Sequence, residues 1–590
     1  MVNSPIMADG QDDTSDQRAE GEPGTSPLES AAPEPETESN EGLEPRTGEE
    51  PDCSFAARVA TGEATCPIIM GHRDTKVRCG RKLHNAPQGV DEKPVCLMHS
   101  RDPHKQSGPA LDAFMQEFRR ILEYAGEGEV HFERFIFPQL DCAWSVFQAF
   151  CMFAEATFTR RVDFRFATFT KEANFLGATF EGSANFLHTT FTLNASFSEA
   201  TFAEDTDFFR AFFEQGVTFR HVTFKNNAGF RGTIFKQNAD FSKAIFKQDA
   251  DFSEATFEAY TFFVGAAFAK GAYFTSTTFE LDTDFSNAAF TQLANFVDAE
   301  FQGTVDWQRS RFMDRAVFRR TKFCPQHEGQ PSAVFGLASF LRPSEIVFDD
   351  VDLSRALFLN CDVSQVWFTP SVRWGTRFNN QGLSLFEERI PLTTEFGKRL
   401  QRSGQRDYRA VAQVYQQLKK NYDSRLDYWT ADEFHIGEME MKRLRGPTGG
   451  HLAGLPRWLH RWLSLVALYR YASDYGNSYW KPASWLLGAL VLFAALLPLP
   501  GVGLKRQGIG QTETFASVWR MQDNVERNLW AEVRLVGKGA ITSVDTATFQ
   551  KNAEYAPAYP WGRVLAVFEN LLTSSLFALF LLAIRRQFRR

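Results

Sequence analysis

Apolar positions between residues 158 and 323 follow a beat that neither a helix nor a plain alternating strand produces. Phenylalanines stand at 158, 164, 169, 175, 180, 186, 191, 197, 202, 208 and 213 and continue in steps of five and six to 323, with Trp307 substituting once. The series has 31 positions. Two residues before each lies a small side chain: 19 Ala, 7 Thr, 4 Val and Ser310. Such steps turn a helix through roughly 550°, so successive rings would leave on opposite faces and no apolar stripe would form. In extended chain, by contrast, residues i and i+2 point to the same side. Each short strand then offers one large and one small inward group. The residues between them, such as Asp163, Asn174, Thr168 and Thr179, face out or turn the chain. Four sides take 22 residues, so the 165-residue block makes 7.5 coils. At roughly 4.8 Å per coil it is about 36 Å long. Every coil buries its apolar side against its neighbours alone, which is the logic of a solenoid.

Other stretches carry other periods. FMQEFRRILEYAG (114–126) predicts a short amphipathic helix leading into the coils. In 404–445, Val411, Val414, Tyr415, Leu418 and Tyr422 share a helical face, and a second helix is expected near Thr430, with Asp432 and Glu433 in its first turn. The two are read as a hairpin. His435, Glu438 and Met439 fall on one face, read as solvated in preference to a metal or acid–base site. Ala483–Leu499 and Val564–Ile584 are apolar, with Trp480 and Trp485 near one end and Arg585, Arg586, Arg589 and Arg590 at the other. These predict two transmembrane helices, at 480–500 and 563–590, with an extracytoplasmic loop at 501–562. The basic terminus places the N-terminal bulk and the C-terminus in the cytoplasm, for a multi-pass cell-membrane protein. Glu569 and Asn570 are expected at the outer interface; an interior face is the other reading. The loop has GVGLKRQGIG and VGKGAITSV, and neither fits a carbonyl selectivity filter.

Charge changes the picture at the N-terminus. Residues 1–52 hold fifteen Asp and Glu against Arg18 and Arg46, and contain no aromatic residue. Such a segment buries too little to offset its ordering entropy, so a disordered acidic tail is expected. The block 158–323 is nearly neutral, with 20 Asp and Glu against 18 Lys and Arg. That argues against mimicry of DNA and makes nucleic acid an unfavoured partner.

Four of the eight cysteines lie near that end. Cys66, Cys79, Cys96 and His99 give C-x12-C-x16-C-x2-H. The last pair has knuckle spacing, and three thiolates with an imidazole form a common structural zinc set. Arg78, Arg81 and Lys82 flank it and favour thiolates. The first pair is too widely spaced for a standard finger, and His72 and His84 compete as ligands. Zinc, ordinary buried cysteines and redox chemistry remain open, with structural zinc the expected cofactor.

The A-(D/N)-F and A-T-F units resemble pentapeptide-repeat proteins, in the variant with an extra residue in alternate repeats. The resemblance implies a mainly β fold, a right-handed quadrilateral β-helix, here with a helical connector and two C-terminal transmembrane helices. Residues 345–374 resemble further, Leu-bearing repeat after an interruption at 324–344, and 130–157 an irregular entry coil. The run from CLMHS to FIFP and the stretch YQQLKKNYDSRLDYWTADEFHIGEMEMKR resemble a group of membrane-bound members. The expected organisation is a tail (1–52), a Cys/His region (53–129), the β-helix (130–323), interruption and final coils (324–380), connector (381–479), first span (480–500), loop (501–562) and second span (563–590). No nucleophile elbow, phosphate loop or metalloprotease helix is present, so no enzyme is expected. The expected role is a membrane-anchored cytoplasmic scaffold with the lipid bilayer and an unidentified protein as partners, compatible with a homo-oligomer. The alternative is a subunit or regulatory component of an ion channel or transporter.

Overall fold

The computed structural model describes residues 65–70, 77–324, 327, 329–377, 382–399, 401–402, 405–445, 462, 464–500, 502–506, 512–514, 525–548 and 555–589. The acidic segment 1–52 and His72 lie outside them.

Short strands wind into four parallel sheets of nine, ten, eleven and eleven strands. Hydrogen-bonded neighbours are twenty-two residues apart, as Thr168 opposite Thr190 and Ala173 opposite Ala195. Rings of successive coils therefore stack in register: Phe175 on Phe197 at 4.8 Å and Phe186 on Phe208 at 4.6 Å, nearly parallel. Across the coil they meet edge to face, Phe175 against Phe186 at 6.1 Å. Both arrangements suit the ring quadrupole. The small residue two positions earlier is buried beside each ring, as Ala173, Ala178 and Ala184. Where Thr or Ser replaces Ala at the five-residue corners, its hydroxyl donates to a main-chain carbonyl twenty-five residues back: Thr189 to Phe164 at 2.7 Å, Thr233 to Phe208 at 2.7 Å and Thr277 to Phe252 at 2.8 Å.

The alternation of five and six has a backbone cause. Each five-residue corner turns through a left-handed residue two after the ring: Gly177, His188, Glu199, Arg210, His221. Six-residue corners use a wider bend. Asn174, Asn185 and Asp207 brace the tight corners by accepting from the amide two residues on.

The coils reach further than the uninterrupted beat. The entry region joins the same sheets, and its irregularity is a coil one residue short: Val130 pairs with Cys151 and Ile136 with Thr157, while Leu140 pairs with Val162 at full length. The expected interruption at 324–344 is largely solenoid. Val305 pairs with Ala333, twenty-eight residues on, six more than a coil takes. Phe335 still stacks on Trp307 at 4.7 Å and Phe358 on Phe335 at 5.1 Å.

Both ends of the ring column are covered. At the start, helix α1 (Gly108–Ala125) lays Phe114 and Phe118 on Phe132 and Phe137 and buries Ile121 beside them in the same core. At the finish, two short helices, α2 (Phe386–Arg389) and α3 (Glu395–Arg399), precede the predicted hairpin of α4 (Tyr408–Ser424) and α5 (Tyr428–Arg445). Asn421 donates to the carbonyls of Val363 and Val366, and Trp374 Nε1 donates to Tyr422. The α5 face is not solvated as expected. Glu438 and Glu440 are buried, because facing charges come from other helices as well as from their own. Lys442 and Lys419 face Glu438, while Arg443 and Arg470 face Glu440. Burial pushes Glu438 up, but hydrogen bonds from His435 and Lys442 prevail and hold it at about 2.

Helix α6 (Leu465–Ser473) leads to α7 (Trp480–Leu496), then α8 (Val525–Ala547) and α9 (Pro560–Arg589). Among the described residues one helix, Pro560–Phe588, is long and apolar enough to cross a membrane; α7 has 17 residues and falls short. The expected pair of spans is thus reduced to one candidate. The expected loop contains α8, which packs on both neighbours. A Cβ on Gly539 would come within 2.2 Å of the Ala494 carbonyl, and Ser543 Oγ reaches the Leu490 carbonyl at 3.3 Å. Glu569 faces the interior of the helices: it is fully buried and accepts from Ser543.

Candidate metal centre

The four predicted ligands come together because the chain before α1 folds back on itself. Ile69–Met70 pairs antiparallel with Val77–Arg78, and the Cys66 amide donates to the Arg81 carbonyl at 2.9 Å. This sets Cys66 beside Cys79 despite twelve intervening residues. Cys96 and His99 lie on one turn, closed by the His99 amide donating to the Cys96 carbonyl at 3.0 Å.

All four ligand atoms lie within 4.8 Å of one another and all four residues are buried. Cys79 and Cys96 sulfurs are 3.7 Å apart, Cys66 Sγ is 3.5 Å from His99 Nδ1 and Cys96 Sγ is 3.2 Å from it. Tetrahedral zinc bonds would set sulfur–sulfur edges of about 3.8 Å and sulfur–nitrogen edges of about 3.6 Å. The set fits, and it could bind a metal ion such as zinc. His99 Nε2 lies 3.2 Å from the Glu133 carbonyl, so the tautomer that donates there leaves Nδ1 free to ligate. Hydrogen bonds from Cys66 and Cys96, with Arg81 alongside, pull the Cys79 thiol far below its ordinary value. Hydrogen bonds to Cys66 and Cys79 push Cys96 far above its own. Arg81 Nη1 donates to the Cys79 sulfur at 3.3 Å and so favours a thiolate there. His84, a competing ligand by sequence, instead pairs with Asp102 at 2.8 Å.

The centre is stitched to the first coil. His99 meets Phe135 edge to face at 5.0 Å, and the Arg81 guanidinium lies 5.1 Å from the same ring centre. Lys105, which sequence reasoning passed over, is buried under α1 and donates to the carbonyls of Leu97 and Ser100. Burial pulls its ammonium down to about 7.

Comparison with known proteins bears on the coils. The family described as pentapeptide repeats matches in nine copies, with matched stretches at 153–192, 167–212, 186–234, 208–256 and 230–278. The coiled region is a pentapeptide-repeat β-solenoid. No curated protein and no solved structure matches the chain. The pentapeptide-repeat solenoid also carries an outer aromatic ladder that sequence reading missed. On one corner Trp144 stacks on Phe166 at 4.0 Å and Phe166 on His188 at 5.0 Å. Trp144 is 71% exposed and Val146 beside it 59%. The signal was available: 144, 166 and 188 are spaced by one coil.

Proposed function

We propose that the protein is a non-enzymatic, membrane-anchored scaffold whose solenoid presents its outer faces to a protein partner, with α9 as the anchor and structural zinc in the Cys66, Cys79, Cys96 and His99 set. The ladder of Trp144, Phe166 and His188, exposed at Trp144 and half-buried at the other two, carries this reading. Aromatic side chains held rigid by stacking lose little entropy on binding, and Trp is enriched at interface hot spots. The anchor is joined firmly to the solenoid's end, because Arg586 near the end of α9 donates to Asp432 of α5 and to the Tyr475 carbonyl. A photo-crosslinking residue at position 144 is expected to give one discrete adduct in intact membranes, and the same residue at Arg220 none. Release of the chain by deletion of 560–590 is the companion expectation. Adducts equal at both positions would remove the scaffold reading, and membrane retention after the deletion would remove the anchor.

A second reading rests on Glu569. Its Oε2 is buried and has no hydrogen-bond partner. Ionisable groups inside spans often line ion paths. Under this reading, liposomes holding the full chain pass ions and Glu569→Gln changes that flux; silent liposomes remove it.

A further inference from the structure

Helix α6 reverses the polarity of a solvated surface helix. Its nine residues, LVALYRYAS, hold a single charge, Arg470. That charge turns inward and meets Glu440 of α5 at 2.8 Å. Ala467 and Ser473 are buried. The side left outward carries Leu465, Leu468 and Tyr471, all exposed, Leu465 at 83%. Spaced by three, they form one stripe along the helix. In water a surface helix places its charges on the outward side.

The stripe continues beyond α6. Trp462 is exposed and stacks on Tyr471 at 6.1 Å, nearly parallel. Trp485, exposed in the second turn of α7, donates from Nε1 to the Tyr471 carbonyl at 3.1 Å. Trp and Tyr gather at membrane–water boundaries, where one part of the ring is dry and its polar handle wet. Contact with α9 names what covers this patch. Arg586, in the last turn of α9, donates to the Tyr475 carbonyl, two residues past the end of α6. Helix α6 thus lies beside the end of the candidate span that carries Arg585 and Arg586. A span crossing the hydrocarbon brings that end to the headgroups, whose anionic oxygens suit guanidinium groups. At roughly 1.5 Å per residue α6 is about 13 Å long, too short to cross about 30 Å of hydrocarbon and suited to lying in its boundary.

We propose that α6, with Trp462 and Trp485, lies in the headgroup–acyl boundary of the bilayer as a second membrane contact. This rests on the reading of α9 as the anchor. A lone span is free to tilt in the bilayer. A helix lying flat beside it opposes that tilt, and the pair of Arg470 with Glu440 passes the constraint to the hairpin on the solenoid's end.

The test places a fluorescent residue at position 468, or at Arg220 on the solenoid, in the full chain reconstituted in phosphatidylcholine vesicles. Two quenchers are compared: phosphatidylcholine brominated on its acyl chains, and aqueous iodide. At 468 the brominated lipid should quench the emission and iodide should not; at 220 the reverse is expected. Leu465→Glu combined with Tyr471→Glu, both on the exposed stripe, should bring iodide quenching to 468 while the chain still floats with the vesicles. Iodide quenching at 468 in the floating chain without those substitutions overturns the proposal and leaves α9 standing. Protection from both quenchers also overturns it, since protein then covers the stripe, as a second copy would. A chain that does not float overturns the reading of α9 and the proposal together.

Discussion

The middle of the solenoid and its two ends solve burial in opposite ways. In the middle, the inward groups are apolar rings and methyls, and the buried hydroxyls of Thr189, Thr233 and Thr277 are met by carbonyls. At the ends the buried groups include charges: Lys105 and Arg81 at the start, Glu387, Glu438 and Glu440 at the finish. A coil inside the stack is specified by its neighbours, which are copies of itself. An end has no such neighbour, and unique polar contacts must fix what covers it and in which orientation. The same division separates what is uniform along the molecule from what can bind or respond.

The sharpest break of this comparison is removal of the metal. The purified chain is expected to hold one zinc, read by elemental analysis, and Cys96→Ser to lose it. Structural zinc contributes on the order of 10 kcal/mol to a small fold. Amides of 65–125 should then exchange rapidly while those of coils beyond Phe197 keep their protection; uniform protection in both proteins would deny the centre its role. Next in size is the middle itself. Phe230 lies between Phe208 and Phe252 at 4.9 and 4.8 Å. Phe230→Ala should cost about 3–5 kcal/mol in urea unfolding, and a smaller loss would mean that the coils can close over the gap.

The ends should also differ in the sign of their pH response. Burial raises Glu387 to about 7 from 4.5. Its folded form holds the proton more tightly, so stability falls as pH rises from 4.5 to 7 and the penalty is complete above 7. Burial lowers Lys105 to about 7 from 10.5. There the unfolded form binds the proton more tightly, so the penalty is complete below 7 and is relieved as pH climbs from 7 to 10.5. Melting curves of Glu387→Gln and Lys105→Met across pH should each flatten one slope, by on the order of 3 kcal/mol; a common slope for both would refute the assignment. The smallest effect expected is Thr233→Val. It keeps the shape, loses the bond to Phe208, and should cost about 1 kcal/mol by the same unfolding assay.

How much could be read in advance follows the same line. Phe175, Phe180, Phe186 and Phe191 declare four inward sides because the pattern needs only local spacing and strand geometry. The corner residues did not declare themselves, since Glu199 and Arg210 have no leaning toward a left-handed conformation and the enrichment of His there is too weak to mark His188. At the metal centre Cys96 and His99 were legible from their knuckle spacing. Cys66 and Cys79 were matched to them only by residue type, because their closeness depends on a backbone pairing across twelve residues. The face of His435 and Glu438 was misread because its partners, Lys419 and Arg586, lie on other helices. Helix α8 was missed for a related reason: Gly537 and Gly539 disguise it, and the close approach to Ala494 that explains Gly539 is a tertiary fact.

The twenty-two-residue coil makes this chain a ruler with discrete marks. A whole coil added or removed at Gly229, say, would shift the ladder at Trp144 along the axis by one strand spacing, about 4.8 Å, and leave ring register intact. Near the ends the stack also pairs coils one residue longer or shorter, as Val130 with Cys151 and Ala333 with Ala356 show. The length of the uniform stack between the N-terminal cap and the C-terminal hairpin thus changes by one strand spacing per coil. Two such chains with different coil numbers would differ in solenoid length by multiples of the same spacing.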